Sequence, residues 1–156
     1  MARILVVDDQ KDVRAMIAIV LRVNRFEVVD AESAAPGLKA FQCASFDLAI
    51  VDIFLNDQSG VDVIAAMRER VPDLPVVAMS GMTALDFEGS GMRNVACLQK
   101  PFRPHELMHV INPALESVGQ PADNMARCET PRTSRGVPHK LKRRRTLGAL
   151  FRTLAG

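Results

Sequence analysis

Five short runs dominated by apolar residues punctuate the first hundred positions: Ile4–Val7, Phe26–Val29, Leu48–Val51, Val76–Met79 and Val95–Leu98. Their aliphatic, largely β-branched content is what strands buried on both faces of a parallel sheet require. Between them the apolar period lengthens. Val13, Met16, Ile17, Val20 and Leu21 fall at i, i+3, i+4, i+7 and i+8, an amphipathic helix. Ala34, Leu38 and Phe41 mark a second helix, with Ser33 as its expected cap and Pro36 tolerated in its first turn. Past the turn cluster Asn56–Gly60, Val61, Ile64, Met67 and Val71 mark a third, stopped by Pro72 and Pro75. The stretch 82–94 should hold a helix, although Gly89 and Gly91 break its pattern. Pro104 opens a last helix bearing Leu107, Ile111, Ala114 and Leu115, which Pro113 is expected to kink or shorten. Strict alternation of strands and helices predicts an α/β fold, a doubly wound parallel sheet of five strands.

Right-handed crossovers then bring every strand's carboxyl end to one edge, where ligands of open α/β sheets bind. The residues at those ends are not apolar. Asp8 and Asp9 follow the first run, Asp52 the third, Ser80-Gly81 the fourth and Lys100-Pro101 the fifth. Each has a plain explanation alone: Asp8 and Asp9, helped by Asp12, could cap a helix, and Ser-Gly or Lys-Pro could be any turn. Their joint occurrence at four strand ends points to one site. A carboxylate placed there needs a cation or hydrogen-bond donors. Three that converge repel one another, and hard oxygen ligands of this kind suit Mg²⁺. Beside the metal, Asp52 can act as a carboxylate nucleophile and form an aspartyl-phosphate. Lys100 and Ser80 are the donors available to the phosphoryl oxygens, and Gly81 leaves room for a phosphate to approach the backbone.

Charge divides the chain. Residues 1–117 hold 11 Lys/Arg and 16 Asp/Glu, a net of −5, whereas 118–156 hold 9 and 2, a net of +7. A folded domain over 1–118 is thus expected to precede a basic tail over 119–156. The tail is rich in Pro, Arg, Thr and Ser, a composition of disorder. It carries the run His139–Arg145 and then Leu147, Leu150, Phe151 and Leu154 on one helical stripe. Such a basic amphipathic stretch is a candidate to contact an anionic membrane or nucleic acid, although a solvated tail is the simpler expectation. It is too short for a recognised DNA-reading module. With no Trp or Tyr, aromatic stacking is a poor candidate for ligand binding. The three cysteines, Cys43, Cys97 and Cys128, have neither zinc-site spacing nor a disulfide pattern. No signal peptide or membrane-spanning run is apparent, so the expected location is cytoplasmic.

The set Asp8-Asp9, Asp52, Gly60, Ser80-Gly81 and Lys100-Pro101-Phe102 resembles the receiver domain of two-component response regulators, the CheY-like superfamily. The resemblance covers residues 2–117. It implies a flavodoxin-like strand order 2-1-3-4-5, with Asp52 as phosphoacceptor. It also implies Asp8, Asp9, Asp52 and the Phe54 carbonyl as the Mg²⁺ ligands. Ser80 corresponds to a hydroxyl that rearranges toward the phosphoryl group and Lys100 to its counter-ion. The implied phosphodonor is a histidine kinase or a histidine phosphotransfer protein, and the implied output is a switch in protein contacts with an unidentified target. Such a protein catalyses only its own phosphorylation and dephosphorylation. Several positions depart from the family. Asn56 stands where proline is usual, a change expected to alter loop stiffness but not chemistry, and Cys97 replaces the usual switching aromatic. The irregular stretch 82–94 and Pro113 fall in the usual output face.

Two other classes compete. An aspartate-nucleophile phosphohydrolase usually carries Asp-x-Asp at its nucleophile, and here Phe54 occupies the second position. A phosphorylation-independent scaffold or a nucleic-acid or membrane-surface binder would act through the tail. The loops add one expectation. Phe54 and Met82, each two residues past a site residue, are bulky enough to shield a phosphoryl group on Asp52 from water. Replacing both with polar residues should shorten the lifetime of the phosphorylated form, and an unchanged dephosphorylation rate would count against shielding.

Overall fold

The computed structural model describes residues 1–81 and 95–117; the helix expected over 82–94 and the tail expected over 119–156 lie outside the described residues. In chain order the elements are β1 (Arg3–Val7), α1 (Lys11–Val23), β2 (Glu27–Ala31), α2 (Ala34–Cys43), β3 (Leu48–Asp52), α3 (Gly60–Arg70), β4 (Val76–Ser80), β5 (Val95–Gln99) and α4 (Pro104–Glu116). The five strands form one parallel sheet in the order β2-β1-β3-β4-β5, as expected. The second strand begins at Glu27 rather than Phe26 and runs on to Ala31.

Alternation along each strand sorts the core into two layers. Leu5, Val7, Ala49, Val51, Val76 and Ala78 pack in one cluster with Phe41, Val63, Ile64 and Met67, from α2 and α3. Ile4, Val6, Leu48, Ile50, Val77 and Met79 pack in the other with Ile17, Leu21, Leu107 and Ile111, from α1 and α4. The second set matters for the site. Asp8, Asp52 and Lys100 lie two positions beyond Val6, Ile50 and Leu98, three members of that cluster. In register, Val6 stands opposite Ile50 and Val7 opposite Val51, so the two acids follow side by side.

Helix ends show where local signals were overridden. α1 closes in a Schellman arrangement: Arg25 N–H donates to the Arg22 carbonyl (3.0 Å) and Phe26 N–H to the Leu21 carbonyl (3.0 Å). Arg25 sits there at φ 64°, a left-handed conformation that suits glycine better. Ser33 does not cap α2 through its side chain. Instead the Ala34 N–H donates to the Asp57 carboxylate, 3.1 and 3.2 Å from its two oxygens, from the loop after β3. Pro113 does not end α4, which runs three residues further to Glu116. Both Pro113 and His109, whose carbonyl loses an i→i+4 donor, are exposed, so water can take the place of the missing N–H.

Gly60, the first residue of α3, donates its N–H to the Ile53 carbonyl at 2.9 Å. A Cβ there would lie 2.0 Å from the Asp52 carbonyl oxygen, so only glycine lets α3 start this close to β3. The two backbone sites predict opposite outcomes in urea unfolding. Relieving the left-handed strain, Arg25→Gly should stabilise the protein by about 0.5–1 kcal/mol, part of the ~1–2 kcal/mol cost of that conformation. Gly60→Ala should destabilise it by about 1–3 kcal/mol, the range for forcing atoms into a filled site.

Candidate functional site

The carboxyl edge of the sheet collects charge in an otherwise apolar setting. Asp8 is fully buried, and Asp52 and Ser80 are each 4 % exposed. Carboxylate oxygens of Asp8, Asp9 and Asp52 all lie within 4.8 Å of one another. The Lys100 ammonium donates to Asp52 Oδ2 at 2.6 Å and to Asp8 Oδ2 at 2.8 Å. It therefore bridges acids that lie 48 and 92 residues away in sequence.

Backbone donors complete the arrangement. Asp52 Oδ1 accepts from the Phe54 N–H at 3.0 Å, so both of its oxygens are held and the carboxylate is fixed in rotation. Asp8 Oδ1 accepts from the Gln10 N–H at 2.7 Å. Neither contact is helix capping of the kind that Asp8-Asp9 alone would suggest, and the N-cap of α1, Gln10, makes no side-chain cap bond. Ser80, the last residue of β4, stands opposite Gln99, and its carbonyl accepts from the Lys100 N–H at 2.8 Å, tying β4 to the lysine. The Lys100–Pro101 peptide bond is cis.

Burial dominates the electrostatics. It pushes the Asp8 carboxyl above its usual range, and hydrogen bonds from Lys100 and the Gln10 N–H only partly oppose that rise. At Lys100 burial acts to lower the pKa, but the hydrogen bonds to Asp52 and Asp8 outweigh it and leave the ammonium above its usual value. Three carboxylates against one ammonium leave an excess of negative charge, and all the donors are hard oxygens. The set fits a small divalent cation such as Mg²⁺.

The site is open on one side. A cavity of about 500 Å³ is lined by Asp52, Lys100, Gly81, Phe54, Met16 and Phe102 among others. A side chain at Gly81 would meet nothing within 4 Å, in keeping with room for an approaching phosphate. Phe54, 57 % exposed, is among the residues lining this cavity, whereas its supposed companion Met82 lies outside the described residues.

Two residues reach the site in ways the sequence did not suggest. Arg14, on α1, donates from Nη1 to the Asp8 carbonyl at 2.8 Å and from Nε to Asp30 at 3.1 Å, fastening the acidic loop to β2. Its position among the polar residues of an amphipathic helix gave no hint of this. Asn56, expected to change only loop stiffness, donates from its side-chain amide to Asp9 Oδ2 and so reaches one of the three clustered acids directly. Cys97, at the position of the usual aromatic, is exposed on β5 opposite Ala78.

Comparison with known proteins agrees with this geometry. The family model of the response regulator receiver domain matches residues 4–112. The photosynthetic apparatus regulatory protein RegA of Cereibacter sphaeroides is 30 % identical over 123 residues, 78 % of this chain and 67 % of that protein. The transcriptional regulatory protein PrrA of Mycobacterium tuberculosis is 34 % identical over 122 residues, 77 % of this chain but only 52 % of PrrA, so the chain spans about half the length of that relative. Among solved structures, a receiver domain from Clostridium thermocellum superposes with a TM-score of 0.69 at 30 % identity, covering 76 % of this chain and 98 % of that one. The Thermotoga maritima response regulator TrrA, solved in complex with Mg(2+)-BeF, gives a TM-score of 0.67 at 27 % identity, covering 73 % and 99 %. With its parallel order β2-β1-β3-β4-β5, its acidic cluster and its bridging lysine, this chain belongs to the response regulator receiver domain family of two-component signalling.

Proposed function

We propose that this protein accepts a phosphoryl group on Asp52 in a Mg²⁺-dependent reaction and transmits the signal by switching protein contacts. The observation that carries the proposal is the Lys100 ammonium held between two buried carboxylates at the mouth of an open cavity. A structural ion pair needs one acid. Here two share one cation and a third lies beside them, an arrangement that costs stability unless it serves a charged ligand.

The donor would be a phosphohistidine, on a histidine kinase or a histidine phosphotransfer protein. An oxygen of Asp52 attacks phosphorus; the O–P bond forms as the P–N bond breaks, and the electron pair stays on the imidazole nitrogen, which takes a proton. Asp52 enters this step already oriented by the Phe54 N–H and Lys100. Lys100 neutralises charge on the equatorial oxygens, and the Ser80 hydroxyl is the donor proposed to turn toward them afterwards. Mg²⁺ held by Asp8, Asp9, Asp52 and the Phe54 carbonyl would supply the remaining charge neutralisation. The receiver catalyses only its own phosphorylation and dephosphorylation. Its output is a shift between two states of the loops and of the surfaces they support. In this proposal the receiver ends near residue 118, where the basic tail begins. No helix among the described residues is long and apolar enough to cross a membrane.

Incubating the full chain with a small acyl phosphate and Mg²⁺ should add one phosphoryl group by intact mass. Asp52→Asn should add none, and retention of the modification in that variant would move the acceptor elsewhere. Asp8→Asn separates stability from function. Without metal it should raise the urea midpoint, because a buried carboxylate that repels Asp52 is removed. It should also abolish the gain in unfolding free energy that saturating Mg²⁺ gives the wild type, expected at about 2.7 kcal/mol when the ion is at a hundred times its Kd.

A further inference from the structure

Asp9 is held differently from its neighbours. Among the described residues, Lys100 pairs with Asp8 and Asp52, whereas the hydrogen bond made to the Asp9 carboxylate comes from the neutral amide of Asn56. The loop that carries Asn56 is pinned on both sides of it. The Phe54 N–H donates to Asp52 Oδ1 at 3.0 Å, the Asp57 carboxylate accepts from the Ala34 N–H at 3.1 Å, and the Gly60 N–H donates to the Ile53 carbonyl at 2.9 Å. The amide is therefore presented by a backbone already tied to β3 and α2, and orienting it requires little further ordering.

We propose that Asn56 is a positioning residue for the metal: its amide holds one oxygen of Asp9 and leaves the other for the cation shared with Asp8 and Asp52. The inference rests on the Mg²⁺ site proposed above. A donor to a ligating carboxylate fixes its rotation and so spares the ion the work of orienting it. Proline, usual at this position in the family, has no such donor. The five-residue stretch Asp52–Asn56 would then serve the metal at every second position, by the Asp52 carboxylate, by the Phe54 carbonyl and by Asn56 through Asp9.

The test is Mg²⁺ titration of the full chain by calorimetry, with urea unfolding in metal-free buffer as the parallel measurement. Asn56→Ala and Asn56→Leu, the latter similar in size without a donor, should each weaken Mg²⁺ binding by roughly 10-fold, the low end of the range for such partners. Their metal-free urea midpoints should stay at the wild-type value, since Asn56 is exposed. Asn56→Gln, which keeps the amide, should retain more affinity than Asn56→Leu. Unchanged or tighter binding in the alanine and leucine variants overturns the inference, as does an equal loss in Asp57→Ala, which would assign the effect to loop order. If Asp8→Asn abolishes binding while the Asn56 variants do not weaken it, the metal site stands and only the role of Asn56 falls. A wild type that binds no Mg²⁺ removes both.

Discussion

Two carboxylates with almost no access to solvent share one ammonium, and this constraint governs the carboxyl edge of the sheet. Lys100 lies within 2.8 Å of both Asp8 and Asp52, and its own burial would disfavour its charge without them. The acids in turn are tolerable only with the lysine and their backbone donors in place. Even so, the balance is incomplete. Burial still holds the Asp8 carboxyl above its usual range, and Asp9 adds a further charge nearby. A protein selected for stability alone would have replaced this cluster with apolar residues. The cluster is therefore held at a cost to stability, with an excess of negative charge at the carboxyl edge.

The apolar core is what makes that cluster possible. Each of the three bridged residues continues the alternate positions of a strand packed against α1 and α4, so the layer that buries Val6, Ile50 and Leu98 also delivers Asp8, Asp52 and Lys100. Parallel register sets the acids side by side. The loop after β3 then does several jobs in a few residues. Phe54 orients Asp52 from its backbone, Asn56 holds Asp9, Asp57 caps α2 and Gly60 lets α3 begin against β3. One short loop thus touches two of the clustered acids, Asp52 and Asp9, and the starts of two helices.

Family membership rests on the match over residues 4–112 and on the fold, and it assigns the chain to two-component signalling. The relatives RegA and PrrA extend beyond the matched part, and PrrA is matched over about half its length. What a receiver regulates is set by what is attached to it or docks on it. The tail beyond residue 118 and the stretch 82–94 are where this chain departs most from a regular pattern.

Strand positions, helix faces and the residues at the strand ends were legible in the sequence because burial leaves a periodic mark on each residue: two for a strand, 3.6 for a helix. From that alone came the parallel sheet and the convergence of Asp8, Asp9, Asp52, Ser80 and Lys100 on one edge. The resemblance supplied the strand order and the roles. Hydrogen-bond partners were not legible in the same way. Ser33 has the composition of a cap, yet Asp57, 23 residues from Ala34, takes the bond. Arg14 reads as helix surface yet anchors the acidic loop, and Asn56 reads as a turn residue yet holds Asp9. Periodicity records whether a side chain is buried, a property of one residue in its element. Which donor meets which acceptor depends on the packing of elements far apart in sequence, and only the folded chain decides it.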